Sequence, residues 1–366
     1  MKSIFYLLVT ASLFTACNPK YYLLVGTYTG NNSSSKGIHV YDFNSKNGAA
    51  KEVSHVEAGN PSYLAVDKNG KYVYSVNESN NGKISAFSFD RKTADLKPIN
   101  SENNNGSAPC YVAIDKTGRW LFAGNYSSGD LTLHPVNSDG LIGGIKQIIK
   151  HSGNGPDKSR QQEPHVHCTY ISPDNKFLYV PDLGIDKVMI YPFDDATGKL
   201  DEKNSSYYKV DAGGGPRHIT FTKNGEHGYL VEEMSGSVVA LRREGKELVK
   251  IQRVNHLPTG EKGAAADIHL SPDEHFLYVS QRSNGTIQIF KVNKTDGTIN
   301  YVSSQSTLGD FPRNFSMHPS GKFLVVGNQR SNYSVIFTVN KKTGLLTDSG
   351  NRINLGSPVC HVWLKK

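Results

Sequence analysis

Cysteine is scarce in this chain and follows no pattern. The four present are Cys17, Cys110, Cys168 and Cys360, and none belongs to a C-x-x-C pair or to a Cys/His spacing of the zinc type. That argues against a zinc finger or a thioredoxin-like centre and leaves no disulfide framework to read. No metal and no cofactor is therefore expected. Linkers are missing as well, since no Ser/Gly or Pro run divides the 366 residues. Basic runs are absent even though the formal net charge is +8, because Lys and Arg are scattered and never occur five together. Scattered positive charge argues against a nucleic-acid partner and suits an anionic small molecule. There is no G-x-S-x-G elbow, no Ser/His/Asp order and no glycine-rich phosphate loop, which argues against a serine hydrolase or a kinase.

Long apolar runs are confined to the N-terminus. Lys2 precedes an apolar stretch from Ile4 to Ala16, broken only by Thr10, Ser12 and Thr15. It is too short to span a bilayer as a mature helix and ends on a small residue, the pattern of a cleaved secretory leader. L-F-T-A-C, ending at Cys17, also resembles a bacterial lipobox. The expectation is a leader over residues 1–16 with Cys17 as a lipidated new N-terminus. The mature protein would then be exported to the periplasm or cell envelope, touching membrane only through that anchor, with one domain over residues 21–366.

What the chain does have is repetition. A proline or small residue, a short apolar strand, a turn containing Asp, Asn or Gly, and an aromatic-rich strand ending in a polar residue recur along it. Copies start at Pro61, Pro109, Val166, Pro216, Ala265, Pro312 and Pro358, so successive starts lie 48, 57, 50, 49, 47 and 46 residues apart. Each period holds four strand-sized pieces of β-branched and aromatic residues between turn clusters. Four strands per 45–50 residues is the signature of a propeller blade. The last copy supplies only one strand, within residues 360–364, while residues 22–27 (Y-L-L-V-G-T) resemble a second strand and residues 37–43 a third. The fold class expected is all-β, a seven-bladed β-propeller whose N- and C-terminal strands close the last blade and so pair edges that would otherwise be exposed.

Aligning the blades against one another separates frame from site. The residue ending each second strand is Thr27, Asn77, Asn125, Asp182, Glu232, Gln281 or Asn328. A polar group in every blade points to a structural role at turns or between blades. The next position varies in size and charge (Tyr28, Glu78, Tyr126, Leu183, Glu233, Arg282, Gln329), as a surface serving an asymmetric ligand would. A third column opens the innermost strand: Ser62, Cys110, His167, Arg217, Ala266, Arg313 and Val359. His165, two residues before His167, shares its face in an extended chain. Arginines and histidines converging on the channel would repel unless an anion or a carboxylate such as Glu233, Asp267 or Asp182 joined them.

These residues resemble the lactonase family of seven-bladed propellers, which includes 6-phosphogluconolactonases and carboxymuconate cyclases. The marks are G-T-Y-T at Gly26, H-C-T-Y-I-S-P-D at His167, G-P-R-H at Gly215, A-A-D-I-H-L-S-P-D at Ala265 with Arg282 after it, P-R-N-F at Pro312, and G-N-Q ending at Gln329. The resemblance implies catalytic residues His167, Arg217, Glu233 and Arg282. Here V-E-E replaces the family's V-N-E, so Glu232 competes with Glu233 for the role. His165, Arg313 and Gln329 are expected to bind substrate, with Arg313 gripping a phosphate or carboxylate bidentately. His167 or Glu233 would serve as base, and Arg217 with Arg282 would hold the oxyanion. The implied activity is hydrolysis of a sugar-type lactone. Two alternatives stay open: cyclase or isomerase chemistry on a carboxymuconate-type lactone, and a non-catalytic exported binding module. Export favours a periplasmic aldonolactone or another anionic lactone over a cytoplasmic sugar phosphate.

Overall fold

The computed structural model describes residues 20–30 and 33–366. The expected leader and Cys17 lie outside the described residues. Seven antiparallel sheets follow one another along the chain. Blade 1 contains Tyr21–Thr27, Gly37–Phe43 and Ala50–Glu57, with the C-terminal strand Pro358–Lys365 as its innermost member. Blades 2 and 3 run from Leu64–Val66 to Asp95–Asn103 and from Pro109–Ile114 to Gln147–Lys150. Blades 5, 6 and 7 open with Pro216–Phe221, Ala265–Leu270 and Pro312–Met317. Blade 4 is irregular. Its inner strand is only Tyr170–Ile171, and two short strands, Lys199–Leu200 and Ser206–Lys209, share the partner Lys187–Asp194. His167 therefore lies before a regular strand rather than within one, beside a lone bridge from Val166 to Asp182.

The closure is as the half-copies require. Tyr22 pairs with Leu364, Leu24 with Val362 and Gly26 with Cys360. Gly26 has to be glycine, because a Cβ there would come 2.3 Å from Pro61 O of the next blade. The inner hairpin turns of blades 2 and 3 are tied by their own aspartates, and the Ser172 and Ser271 hydroxyls take that place in blades 4 and 6. The Asp67 carboxylate accepts from Asn69 N, Lys71 N and Tyr72 N, and Asp115 from Thr117 N, Arg119 N and Trp120 N. These Asx contacts explain the recurring D-x-x-G turn chemistry.

The hydrophobic core is a ring of seven clusters, one between each pair of neighbouring blades. Leu24, Ile38 and Val40 of blade 1 pack on Val73, Phe87 and Phe89 of blade 2. At the seam, Leu23, Val25 and Tyr41 of blade 1 pack on Val325 and Ile336 of blade 7. Alternation along each strand sends successive side chains to opposite neighbours, so the middle strands bury both faces and read as near-continuous apolar runs. The polar column plays the structural part expected of it. Asn77 Nδ2 donates to Gly59 O, Gln281 Nε2 to Gly236 O and Asn328 Nδ2 to Thr307 O, each tying a loop to the top of a blade. Cys110, Cys168 and Cys360 are free and buried.

Removing Pro358–Lys366 would strip the inner strand from blade 1 and expose the paired edge of Tyr21–Thr27. The truncated chain is expected to lose its cooperative thermal transition and leave the soluble fraction; a melting curve superimposable on that of the full chain would contradict the closure.

Candidate active site at the channel mouth

The inner strands converge at one end of the ring on a slot lined by Ser62, Cys110, His167, Arg217, His218 and Arg313. The space between them is about 10 Å³, room for roughly one water. It is the floor of a site rather than a substrate-sized pocket.

Glu233 is the hub. Its Oε2 takes the Arg217 Nε at 3.0 Å and the Arg282 Nη2 at 2.8 Å. Its Oε1 takes the Arg160 Nη2 at 2.7 Å. Burial is the largest influence on this carboxyl and pushes its pKa upward, yet Arg282, Arg217 and Arg160 together hold it down at about 2. Glu233 is thus a firmly ionised carboxylate that aims arginines, and a poor general base. Glu232 turns the other way, toward Arg253 Nη2 at 2.7 Å and Ser235 Oγ at 2.6 Å. Of the two, only Glu233 thus meets Arg217 and Arg282 at the mouth.

Arg217 is 1% exposed, and besides Glu233 its Nη1 donates to Ala266 O at 2.5 Å. Burial, then the nearby Arg313, depress its pKa. Arg282 donates through Nε to Ala264 O at 3.0 Å, and burial pulls its pKa down to about 10 against the support of Glu233. His167 sits between Cys110 Sγ, 3.8 Å from its Nδ1, and the His218 ring, 5.2 Å away edge to face. Burial first, then Arg217, His218 and Arg313, drive its pKa well below 6.5, so the imidazole is neutral and can accept a proton. The Cys110 thiol is pushed far up by burial and is no nucleophile. Beneath the slot His218 Nδ1 meets Asp267 Oδ1 at 2.8 Å, and Asp267 also binds His269 and Asn314.

Arg313 stands apart. Half-buried at the start of its strand, it lies over the Tyr28 ring at 5.5 Å. Among the described residues it makes no hydrogen bond or ion pair. Tyr28 itself donates to Glu78 Oε2 at 2.9 Å. Across the mouth, four guanidinium groups (Arg160, Arg217, Arg282 and Arg313) thus face two carboxylates (Glu233 and Glu78).

The other expected positions divide. His165 stacks on Tyr126 with centroids 4.5 Å apart and its Nδ1 lies 2.9 Å from Tyr126 O, so it braces Tyr126 instead of entering the slot. Gln329 opens a 3-10 turn, Gln329–Ser331, and its Oε1 is buried with no hydrogen-bond partner among the described residues. Arg160 was not anticipated. It comes from the loop before His165, and the only trace of it in the sequence is the longest repeat spacing, the 57 residues from Pro109 to Val166. Among the described residues, no three metal-ligating side chains meet at this mouth.

The fold is a seven-bladed propeller, and residues 22–363 match the family described as Lactonase, 7-bladed beta-propeller. The chain belongs to that family, and its reaction class is lactone hydrolysis. A protein of Formosa agariphila named 6-phosphogluconolactonase is 38% identical over 332 residues, covering 88% of this chain and 94% of the relative. The Bacillus subtilis protein of the same name is 33% identical, covering 93% and 97%. The solved structure of a periplasmic gluconolactonase from Pseudomonas aeruginosa superposes with a TM-score of 0.89 at 32% identity, covering 94% of this chain and 99% of that one.

The depressed pKa of Glu233 has a consequence for stability. A carboxyl lowered from 4.5 to about 2 contributes its full stabilisation above pH 4.5 and loses it as pH falls from there toward 2. The amount is on the order of 3 kcal/mol. Glu233→Gln should destabilise the fold by about 3–5 kcal/mol at neutral pH, because three guanidinium groups lose their counter-charge. It should also flatten the decline between pH 4.5 and 2. Urea melts of both proteins across that window check it, and parallel pH profiles would refute the ion cluster.

Proposed function

We propose that this chain opens a sugar-type lactone bearing an anionic group, with His167, Arg217 and Arg313 in distinct roles. The observation that carries the reading is Arg313, a guanidinium at the edge of the slot that makes no direct hydrogen bond or ion pair among the described residues, although the nearby Glu78 and Glu233 favour its charge. Its donors are therefore open to an anionic ligand, and burial favours such a partner. A phosphate or carboxylate of the substrate fits its fork geometry, and the carbonyl then rests over His167 and Arg217.

In the hydrolysis, neutral His167 takes a proton from a water that attacks the lactone carbonyl carbon. The carbonyl electrons move to oxygen, and Arg217, aimed by Glu233 and with Arg282 beside it, balances the oxyanion. Collapse breaks the ring C–O bond, and the proton on His167 passes to the departing alkoxide. One water is consumed, and a hydroxy acid leaves. A bound anion also favours protonated His167, offsetting the neighbouring arginines that depress it. Glu233, Arg282 and Arg160 act through Arg217 as positioning residues. The relatives named 6-phosphogluconolactonase and gluconolactonase support a six-carbon aldonolactone as substrate. The leader read over residues 1–16 and the periplasmic relative support an exported enzyme with lipidated Cys17, which favours an extracytoplasmic lactone.

Proton release in a pH-stat over a panel of aldonolactones, with and without a 6-phosphate or a carboxylate, tests the reading. Arg217→Ala is expected to lower kcat a hundredfold or more, a barrier of roughly 2.7–4 kcal/mol. Arg313→Ala should raise KM about tenfold or more for the anionic substrate while kcat stays within a few-fold. Wild-type rates in both Arg217→Ala and His167→Ala would remove the site, whereas a parent protein that opens no lactone of the panel would favour the binding-module alternative. Separately, Cys17→Ala should shift the protein from the membrane pellet to the soluble envelope fraction; unchanged partition would dismiss the anchor.

A further inference from the structure

Far from the channel axis, on the outer half of blade 1, two histidines and a glutamate from adjacent strands converge. His39 lies in Gly37–Phe43 and His55 in Ala50–Glu57, and the antiparallel register sets them directly opposite one another. Their rings stack with centroids 5.4 Å apart, as side chains on one face of paired strands do. A bulge between Val40 and Tyr41 drops Val53 out of register and puts Glu52 opposite Tyr41. A carboxylate thereby lands on the histidines' face where regular alternation would have placed Val53. His39 Nδ1 is 2.9 Å and His55 Nδ1 3.6 Å from the same oxygen, Glu52 Oε1. All three donor atoms lie within 4.8 Å of one another.

The hydroxyls behind His39 determine which of its nitrogens carries hydrogen. Gly37 O can only accept, so Thr27 Oγ1, 2.7 Å away, spends its single proton there. Ser35 Oγ, 2.7 Å from Thr27 Oγ1, must therefore donate to Thr27. That leaves Ser35 Oγ to accept from His39 Nε2–H across 2.9 Å. The neutral ring then points its Nδ1 lone pair at a carboxylate oxygen 2.9 Å away. Two lone pairs at that distance repel, and the contact is favourable only with a cation or a second proton between them. A second imidazole nitrogen directed at the same oxygen calls for a cation that both can ligate.

We propose that His39 Nδ1, His55 Nδ1 and a Glu52 carboxylate oxygen form a divalent transition-metal site of the zinc class, with water completing the shell. Two imidazoles and one carboxylate suit zinc, copper or nickel rather than the all-oxygen shells of magnesium and calcium. Bonds of about 2.0–2.2 Å would set the donors roughly 3.3 Å apart in a tetrahedral shell. The present spacings straddle that value, and the exposed Glu52 and His55 can adjust to it. His39 is the fixed member. It is buried, and its other ring nitrogen is held by Ser35 in the manner of an outer-shell partner that orients a metal ligand. The site is separate from the catalytic slot and takes no part in lactone opening.

Zinc chloride titrated calorimetrically into the purified protein in a non-coordinating buffer tests the assignment. One ion per chain is expected, together with a rise in Tm. His55→Ala and Glu52→Gln change exposed side chains and should fold as the parent does. Each is expected to weaken zinc binding tenfold or more and to abolish the rise in Tm. A parent protein that binds no zinc overturns the site, as does unchanged stoichiometry and affinity in both variants.

Discussion

The pairing of Tyr21–Thr27 with Pro358–Lys365 closes the ring and gives blades 1 and 7 their second neighbour. The apolar side chains are shared among seven interfaces with no common centre. In such a ring the first and last sheets bury both faces only if the circle is complete. An open ring would expose the cluster of Leu23, Val25 and Tyr41 on one side and that of Val325 and Ile336 on the other. Closure also sets the channel radius, and with it the distance across which residues from opposite blades can meet.

The site inherits its precision from that frame. Arg217 and Glu233 leave blade 5, Arg282 leaves blade 6 and Arg313 blade 7, and Arg217, Arg282 and the loop residue Arg160 meet at the single carboxylate of Glu233. The Arg217–Glu233 pair belongs to one hairpin, whereas Arg282 and Arg160 reach Glu233 from other parts of the chain, and a small shift between neighbouring blades would separate Arg282 from it. The Glu233 cluster is satisfied within the protein, whereas Arg313 makes no direct hydrogen bond or ion pair among the described residues. Catalysis by such a site rests on charge already in place before the substrate arrives.

The metal site on blade 1 depends on a different kind of placement. A bulge of one residue exchanges Val53 for Glu52 beside two cross-strand histidines. No zinc-type spacing announces it, because its ligands come from facing strands and the bulge moves one of them into register. The absence of a cysteine or histidine motif is informative about zinc fingers and silent about such sites.

The recurring period, the half-copies at the two ends and the turn aspartates were enough to derive seven blades and their closure, because each blade repeats the same local physics. Blade alignment likewise separated the structural polar column from the variable one beside it. It picked out Arg217, Glu233, Arg282 and Arg313 without knowledge of their partners. Local pattern could not choose between Glu232 and Glu233, since they are adjacent residues of one type. It carried His165 into the slot, whereas the irregular stretch ahead of Tyr170–Ile171 lets that ring stack on Tyr126. It did not reveal Arg160, whose loop has no counterpart in other blades. The sequence by itself determined the ring and the kind of groups that face its channel, since both follow from periodicity. Which charges pair, and which one is left for a ligand, was decided only by tertiary structure, because ion pairing depends on distances of 3–4 Å between strands far apart in the chain.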